Sequence, residues 1–273
     1  MASILLVGKP HSTKTTFITQ LIARIESGKS VISLYKPIED LTSIIDASKA
    51  IAKGEEVAAT STEKNLTLTL PLHYNNENVD LSCPDYGGEQ INKIIQDREV
   101  DAKWGKSIKQ TNNWIFFIRP TSLSSYFDLS NKTLDSGELK NSEAPGEEYE
   151  ISDQSSFIEL LQFFLNVKGH DAHAIIKDIK LSIVLTCWDE LDSPGNPKSV
   201  LKKNLPLLLE FIEANWAESH FQVLGLSAQG FSLKEQENRD KYLENGSENF
   251  GYLISSDGNQ IDDLTELIVS ATS

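Results

Sequence analysis

The sequence predicts an α/β fold: an open, mostly parallel sheet with one antiparallel strand and helices on both faces. Three observations carry that expectation. Short apolar runs alternate with longer amphipathic stretches along the chain. The first run ends at Gly8 and passes through a short polar loop straight into a helical pattern. The break between the second and third runs, residues 74–78, is too short for a parallel crossover, so those two strands must pair antiparallel.

Taken in order, Ile4–Val7 reads as a buried strand. Thr15–Glu26 follows as a helix with Phe17, Leu21, Ile22 and Ile25 on one face. Residues 28–65 are polar and irregular apart from a helix near Ile44–Ala52. Leu66–Leu72 alternates apolar residues with Thr, the pattern of a strand with one buried face, and Val79–Cys83 is its antiparallel neighbour. A helix near Gln90–Asp97 and the strand Trp114–Ile118 come next. Residues 121–153 hold eight acidic and two basic residues and read as an exposed acidic insertion. Phe157–Val167 reads as a helix, Leu181–Thr186 as a buried strand, Ser199–Ala214 as a helix and Phe221–Leu226 as a strand. A polar insertion over 231–250 and a closing helix at Leu264–Val269 complete a single domain over 1–273.

Composition narrows what such a fold can do. With 39% hydrophobic and 24% charged residues the chain can bury a core and is not disordered. A formal net charge of −15 excludes nucleic-acid or anionic-lipid binding through the overall field. A polyanion would need a small, locally arranged pocket. Two cysteines cannot staple a domain of this size, which points to a reducing compartment. The N-terminal residues lack the basic region of a signal peptide, Ala2 stands where myristoylation needs glycine, and no apolar run approaches membrane-spanning length. A cytoplasmic protein without membrane insertion is the expectation.

The chemistry concentrates at the ends of the expected strands. Gly8-Lys9-Pro10-His11-Ser12-Thr13-Lys14-Thr15-Thr16 matches the phosphate-loop pattern G-x-x-x-x-G-K-[ST] in a strand–loop–helix setting, except that Thr13 replaces the second glycine. Backbone N–H groups from Gly8 to Thr16, Ser12 and Thr13 included, would face the phosphates. Lys14 would reach the β- and γ-phosphates, and the Thr15 hydroxyl would ligate Mg²⁺. A D-x-x-G box, Asp85-Tyr86-Gly87-Gly88, follows the third strand; Asp85 would hold Mg²⁺ through water and the Gly88 amide would sense the γ-phosphate. Thr186-Cys187-Trp188-Asp189 ends the fifth strand, where an aspartate can accept from guanine's ring N–H and exocyclic amine, and Ser227-Ala228-Gln229 ends the sixth. Ligands of open α/β sheets bind at those strand ends.

The four boxes in this order resemble those of translation-factor-related (TRAFAC class) P-loop GTPases, over nearly the whole chain. Pro84-Asp85-Tyr86-Gly87-Gly88-Glu89, Thr186-x-x-Asp189-Glu190-Leu191 and the tail Gly251–Gly258 with Asp263-Leu264-Thr265 are most similar to the bacterial double-GTPase family of conflict and antiphage systems. That resemblance implies a small-GTPase-like P-loop fold, Mg²⁺ with GTP or GDP, a switch cycle, and a protein partner: a second GTPase, an activating protein or an effector. It also implies that Thr186, Asp189, Ser227 and Ala228 hold the base, that Lys14 and Glu89 serve catalysis, and that Thr60 or Thr62 closes on Mg²⁺, with Thr60 preferred.

Three departures bear on activity: Thr13 for glycine, Cys187 for the lysine of the family's base box, and Glu89 for a water-orienting glutamine, with Gln90 beside it. The four arginines, Arg24, Arg98, Arg119 and Arg239, all lie outside 28–65, where the first switch belongs. An arginine at the γ-phosphate contributes roughly 10³–10⁵ in rate, so slow intrinsic hydrolysis is expected. A degenerate P-loop scaffold that binds partners without hydrolysis is the alternative. His170 and His173 suggest a metal pair only weakly and read as an exposed turn.

Overall fold

The computed structural model describes residues 2–42, 44–57, 67–84, 89–124, 151–170 and 174–272; of Glu89 only the backbone is described. The strands are β1 (Ala2–Gly8), β2 (Ser33–Leu34), β3 (Leu68–Tyr74), β4 (Glu77–Cys83), β5 (Asn113–Ile118), β6 (Lys180–Thr186), β7 (Phe221–Ser227), β8 (Tyr252–Ile254) and β9 (Gln260–Ile261). They form one sheet in the order β2-β3-β4-β1-β5-β6-β7-β8-β9. β4, β1, β5, β6 and β7 are parallel, and β3 runs against β4, as the short break at 74–78 requires. A second reversed strand, β8, pairs with β7 through Gly225–Ile254 and Ser227–Tyr252. Sequence reading left that stretch in the tail, because three residues beside polar neighbours carry no alternation signal.

The helices are α1 (Lys14–Glu26), α2 (Ile45–Ala52), α3 (Glu89–Asp97), α4 (Ala102–Gln110), α5 (Asp153–Lys168), α6 (Pro197–Asn204), α7 (Pro206–Asn215), α8 (Gln236–Asn245) and α9 (Glu266–Thr272). The single helix expected over Ser199–Ala214 is two. Pro206 offers no N–H to Lys202, and Leu205 leaves the helical region at φ −138°, ψ 60°. The polar stretch 231–250 carries α8, which is anchored by Tyr242 (1% exposed) accepting from Gln20 Nε2 of α1.

Side chains of the central strands alternate between two cores. Leu5, Val7, Trp114 and Phe116 face one layer, with Phe164 of α5 and Leu208 of α7. Ile4, Leu6, Ile115 and Phe117 face the other, with Phe17 of α1 and Leu267 of α9. Each such apolar side chain contributes about 1.5–3 kcal/mol by leaving water. Phe17 meets Phe117 edge-on at 5.3 Å, which fixes the start of α1 against the end of β5. All four tryptophans are buried in this scaffold. Among the described residues no helix is long and apolar enough to cross a membrane.

Candidate functional site

Strand register brings the chemical boxes to one edge. Gly8 pairs with Phe117, Ile118 with Leu185, and Thr186 with Leu226, so β1, β5, β6 and β7 end together. At that edge the chain leaves β1 through Lys9–Thr13 and enters α1. Gly8 must be glycine, since a Cβ there would collide with Ser12 Oγ and press on Phe117. Lys14, 3% exposed, folds over the loop: its ammonium donates to Gly8 O at 2.6 Å, Lys9 O at 3.1 Å and Ser12 Oγ at 3.4 Å. Thr15 and Thr16 occupy the first turn of α1, which holds no acidic residue to repel an anion.

Two non-glycine residues of this loop are left-handed, His11 at φ 62° and Thr13 at φ 61°. Thr13 therefore adopts the backbone that the missing glycine would take, at a cost of about 1–2 kcal/mol for a residue with a Cβ. It does not cap α1 with its side chain, and its Oγ1 is buried without a hydrogen-bond partner among the described residues.

The tips of β6 and β7, where the sequence places the expected base box, form a side-chain network. Thr186 is fully buried and its hydroxyl lies 3.4 Å from Ile118 O. Cys187 turns the chain at φ 53° into a short 3₁₀ turn, Trp188–Glu190, whose Trp188 ring lies where a Cβ on Gly225 would collide with it. Asp189 Oδ1 accepts from Ser227 Oγ at 2.5 Å, and that oxygen accepts from Gly230 N at 2.9 Å. Ala228 follows Ser227 at the same tip, with the Gln229 Nε2 buried and unpartnered among the described residues. Burial pushes the Cys187 thiol up to about 12, helped by the neighbouring Glu190 carboxylate, so it is a neutral thiol at physiological pH.

Beside the phosphate loop lies a cavity of about 300 Å³ lined by Lys9, His11, Asn92, Arg119, Asp153 and Phe157, among others. Lys9 does not point at a phosphate position. Its ammonium bonds Asp153 Oδ1 at 2.6 Å and sits 4.8 Å from the Phe157 ring centre. Asp153 Oδ2 accepts from Ser124 N at 2.7 Å and Ser124 Oγ at 2.8 Å. Burial pushes the Asp153 carboxyl up, but the Lys9 and Ser124 hydrogen bonds outweigh it and hold the group below its ordinary value. This clip and the Arg119–Glu190 pair, with Nη2 to Oε1 at 2.5 Å, escaped sequence reading. Their partners stand 144 and 71 positions apart, with no motif to join them.

Of the remaining expected residues, Thr60, Thr62, Asp85 and Gly88 lie outside the described residues, and Glu89 is placed as the first residue of α3. Gln90 turns inward, its Oε1 accepting from Trp104 Nε1 at 2.6 Å. His170 pairs with Asp178 at 3.3 Å, and His173 lies outside the described residues. No group of three or more His, Cys, Asp or Glu able to hold a metal occurs among the described residues.

A protein-family model described as Double-GTPase 1 matches residues 5–271, from β1 to α9. The chain belongs to the Double-GTPase 1 family. No curated protein matches it. Among solved structures it is similar to the Arl6 BBS3 small GTPase from Trypanosoma brucei with bound nucleotide analogue GppNp, at 11% identity and a TM-score of 0.41, over 90% of this chain and 96% of that one. Within this Double-GTPase 1 member the two replaced motif residues, Thr13 and Cys187, are both left-handed.

Proposed function

We propose that this chain is a guanine-nucleotide switch: one P-loop domain that binds GTP or GDP with Mg²⁺, hydrolyses GTP slowly and signals to a protein partner. The supporting observation is the juxtaposition of Asp189, steadied by Ser227, with the Lys14 loop at one sheet edge. Membership of a GTPase family supports the same reading.

In this reading the loop N–H groups and the Lys14 ammonium bind the phosphates, and Asp189 accepts from the guanine ring N–H and amine while the Ala228 amide meets the carbonyl oxygen. Mg²⁺ fits the donor set, which offers hard oxygens: the Thr15 hydroxyl, Asp85 through water, and Thr60. Bound there, the ion would neutralise charge on the phosphate oxygens. Glu89 orients the attacking water; the water oxygen bonds to the γ-phosphorus as the bond to the β-γ bridging oxygen breaks, giving GDP and phosphate.

All four arginines are engaged within the fold, which supports slow intrinsic turnover. Arg24 binds the carbonyls of Glu248, Phe250 and Asp262, and Arg239 that of Leu233. Arg98 pairs with Glu159 and Arg119 with Glu190. A partner would then supply the arginine. The acidic stretch 121–153 suits a basic partner surface, and the family likeness supports a cytoplasmic role in antiphage defence.

Calorimetric titration with GDP, GTP and ATP in Mg²⁺, beside D189A, tests the reading. Guanine-selective binding lost in D189A supports it, and equal affinity for ATP refutes it. One observation favours the scaffold alternative: the left-handed Thr13 with its buried, unpartnered Oγ1 in the phosphate loop, among the described residues. Single-turnover GTP hydrolysis that disappears in K14A would dismiss that alternative.

A further inference from the structure

The turn that carries Asp189 is short and begins from an unfavourable conformation. Trp188–Glu190 is a single 3₁₀ turn with no side-chain cap, entered through Cys187 at φ 53°. A left-handed non-glycine residue at its start and three residues of 3₁₀ geometry do not hold such a turn by themselves. Something must brace it, and Glu190 is where the brace attaches. Arg119, the first residue beyond β5, places Nε 3.1 Å from Glu190 Oε2 and Nη2 2.5 Å from Oε1, a two-pronged fork. Thr121 Oγ1 donates to the same Oε2 at 2.6 Å and accepts from Arg119 Nε at 3.2 Å. Two groups from the end of β5 thus converge on the residue next to Asp189.

The guanidinium also reaches towards the other half of the site, since Arg119 lines the cavity beside Lys9, His11 and Ser12 of the phosphate loop. Arg119 therefore spans from the loop's flank to the base turn. A planar guanidinium fixes a carboxylate in direction as well as distance, which a lysine ammonium does not.

We propose that Arg119 and Glu190 are positioning residues for base recognition, their ion pair clamping the Trp188–Glu190 turn so that the Asp189 carboxylate meets guanine's ring N–H and exocyclic amine. The inference rests on the guanine-nucleotide reading above. The pair touches no base itself; it acts through Asp189.

The test compares GDP, inosine diphosphate and ADP by calorimetry in Mg²⁺, with thermal unfolding recorded alongside. Inosine keeps the ring N–H and lacks the amine, whereas adenine offers neither partner to Asp189. Loss of one charge-assisted hydrogen bond corresponds to roughly a tenfold weakening. In R119A, GDP binding is expected to weaken about tenfold and the GDP-to-inosine-diphosphate preference to fall towards one, while ADP binding stays within about twofold. R119K should fall between, and the charge swap R119E/E190R should recover part of the preference.

An unchanged preference in folded R119A overturns the clamp while the guanine reading stands. Equal weakening for all three nucleotides also overturns it, because that is what a merely structural role produces. If R119A does not fold, T121V keeps both charges, removes the bridging hydroxyl and is read by the same ratio. A wild-type protein with no preference for GDP over ADP refutes the guanine reading, and the clamp with it.

Discussion

The phosphate end and the base end of the site are built in opposite ways. At the phosphate end, Lys14 bonds to Gly8, Lys9 and Ser12, all within six positions, and the shape comes from backbone dihedrals. At the base end, Asp189 meets Ser227 from 38 positions away and Glu190 meets Arg119 from 71, and the shape comes from side chains on three strands. A locally closed loop tolerates a wrong residue if the backbone can still adopt the required dihedrals, and Thr13 does so at φ 61°. A long-range network tolerates one only if other side chains brace the turn, and Arg119 and Thr121 hold Glu190 three positions beyond Cys187. Substitutions at the two ends should therefore fail differently.

The largest effect is expected at the loop. K14A removes the cation that would sit against the phosphates, and losing one such electrostatic donor costs about 10²–10³ in rate. Single-turnover phosphate release should fall by at least that factor, read on protein whose folding is checked by its unfolding midpoint, because Lys14 also donates to Gly8 O, Lys9 O and Ser12 Oγ. A K14A protein with undiminished hydrolysis would remove the phosphate loop from the mechanism. At the base end the informative change is D189N. Asn keeps an acceptor for Ser227 and the ring N–H but presents an amide donor where the carboxylate received guanine's amine. Xanthine carries a carbonyl at that position. D189N should weaken GDP by about 100-fold, two charge-assisted hydrogen bonds being altered, and favour xanthosine diphosphate. Retained guanine preference in D189N would place base recognition elsewhere.

T13G probes the tolerance of the local end. Glycine takes φ 61° without a Cβ penalty of about 1–2 kcal/mol, offset by about 0.4–1 kcal/mol of extra freedom in the unfolded chain. The net expectation is a gain of about 0–1.6 kcal/mol, read in denaturant unfolding, with GDP binding tightened several-fold as the unpartnered threonine hydroxyl leaves the loop. A T13G protein that is less stable and binds GDP more weakly would show instead that the buried Oγ1 contacts the nucleotide.

The same contrast governs what the sequence discloses. The loop, the strand ends and the antiparallel pairing of β3 with β4 were legible, because each depends on neighbours in sequence and on apolar periodicity. α4 was not, since Trp104 and Ile108 are its buried pair in an otherwise polar nine-residue run. α8 was not either, because Tyr242 is its buried side chain and the rest is polar apart from the exposed Leu243. Pro206 was visible, but the apolar pattern on both sides of it outweighed the break it imposes. Lys14 and Thr15 open α1 and Asp189 and Ser227 meet at the tips of β6 and β7, whereas Arg119 and Asp153 became partners only through tertiary contact.

The last predicted effect, on stability alone, concerns the link between loop and helix. D153A removes the acceptor for Lys9, a partly buried hydrogen bond of 2.6 Å, and for Ser124 N and Oγ, exposed ones of 2.7 and 2.8 Å. The cost should be about 1–3 kcal/mol at neutral pH, at the lower end because solvent reaches both side chains. Its pH dependence has a definite sign. The Asp153 pKa is lowered on folding from its ordinary 3.8, so the native state favours the ionised form. The contribution is fully present above the unfolded value and disappears as pH falls through the folded one. Wild-type and D153A unfolding midpoints should thus differ at pH 7, begin to approach each other as pH falls below the ordinary value of 3.8, and converge only once pH has passed below the lowered folded value. A gap that persists unchanged at that acidity would mean the clip stabilises through packing of the Lys9 stem on Phe157 rather than through charge.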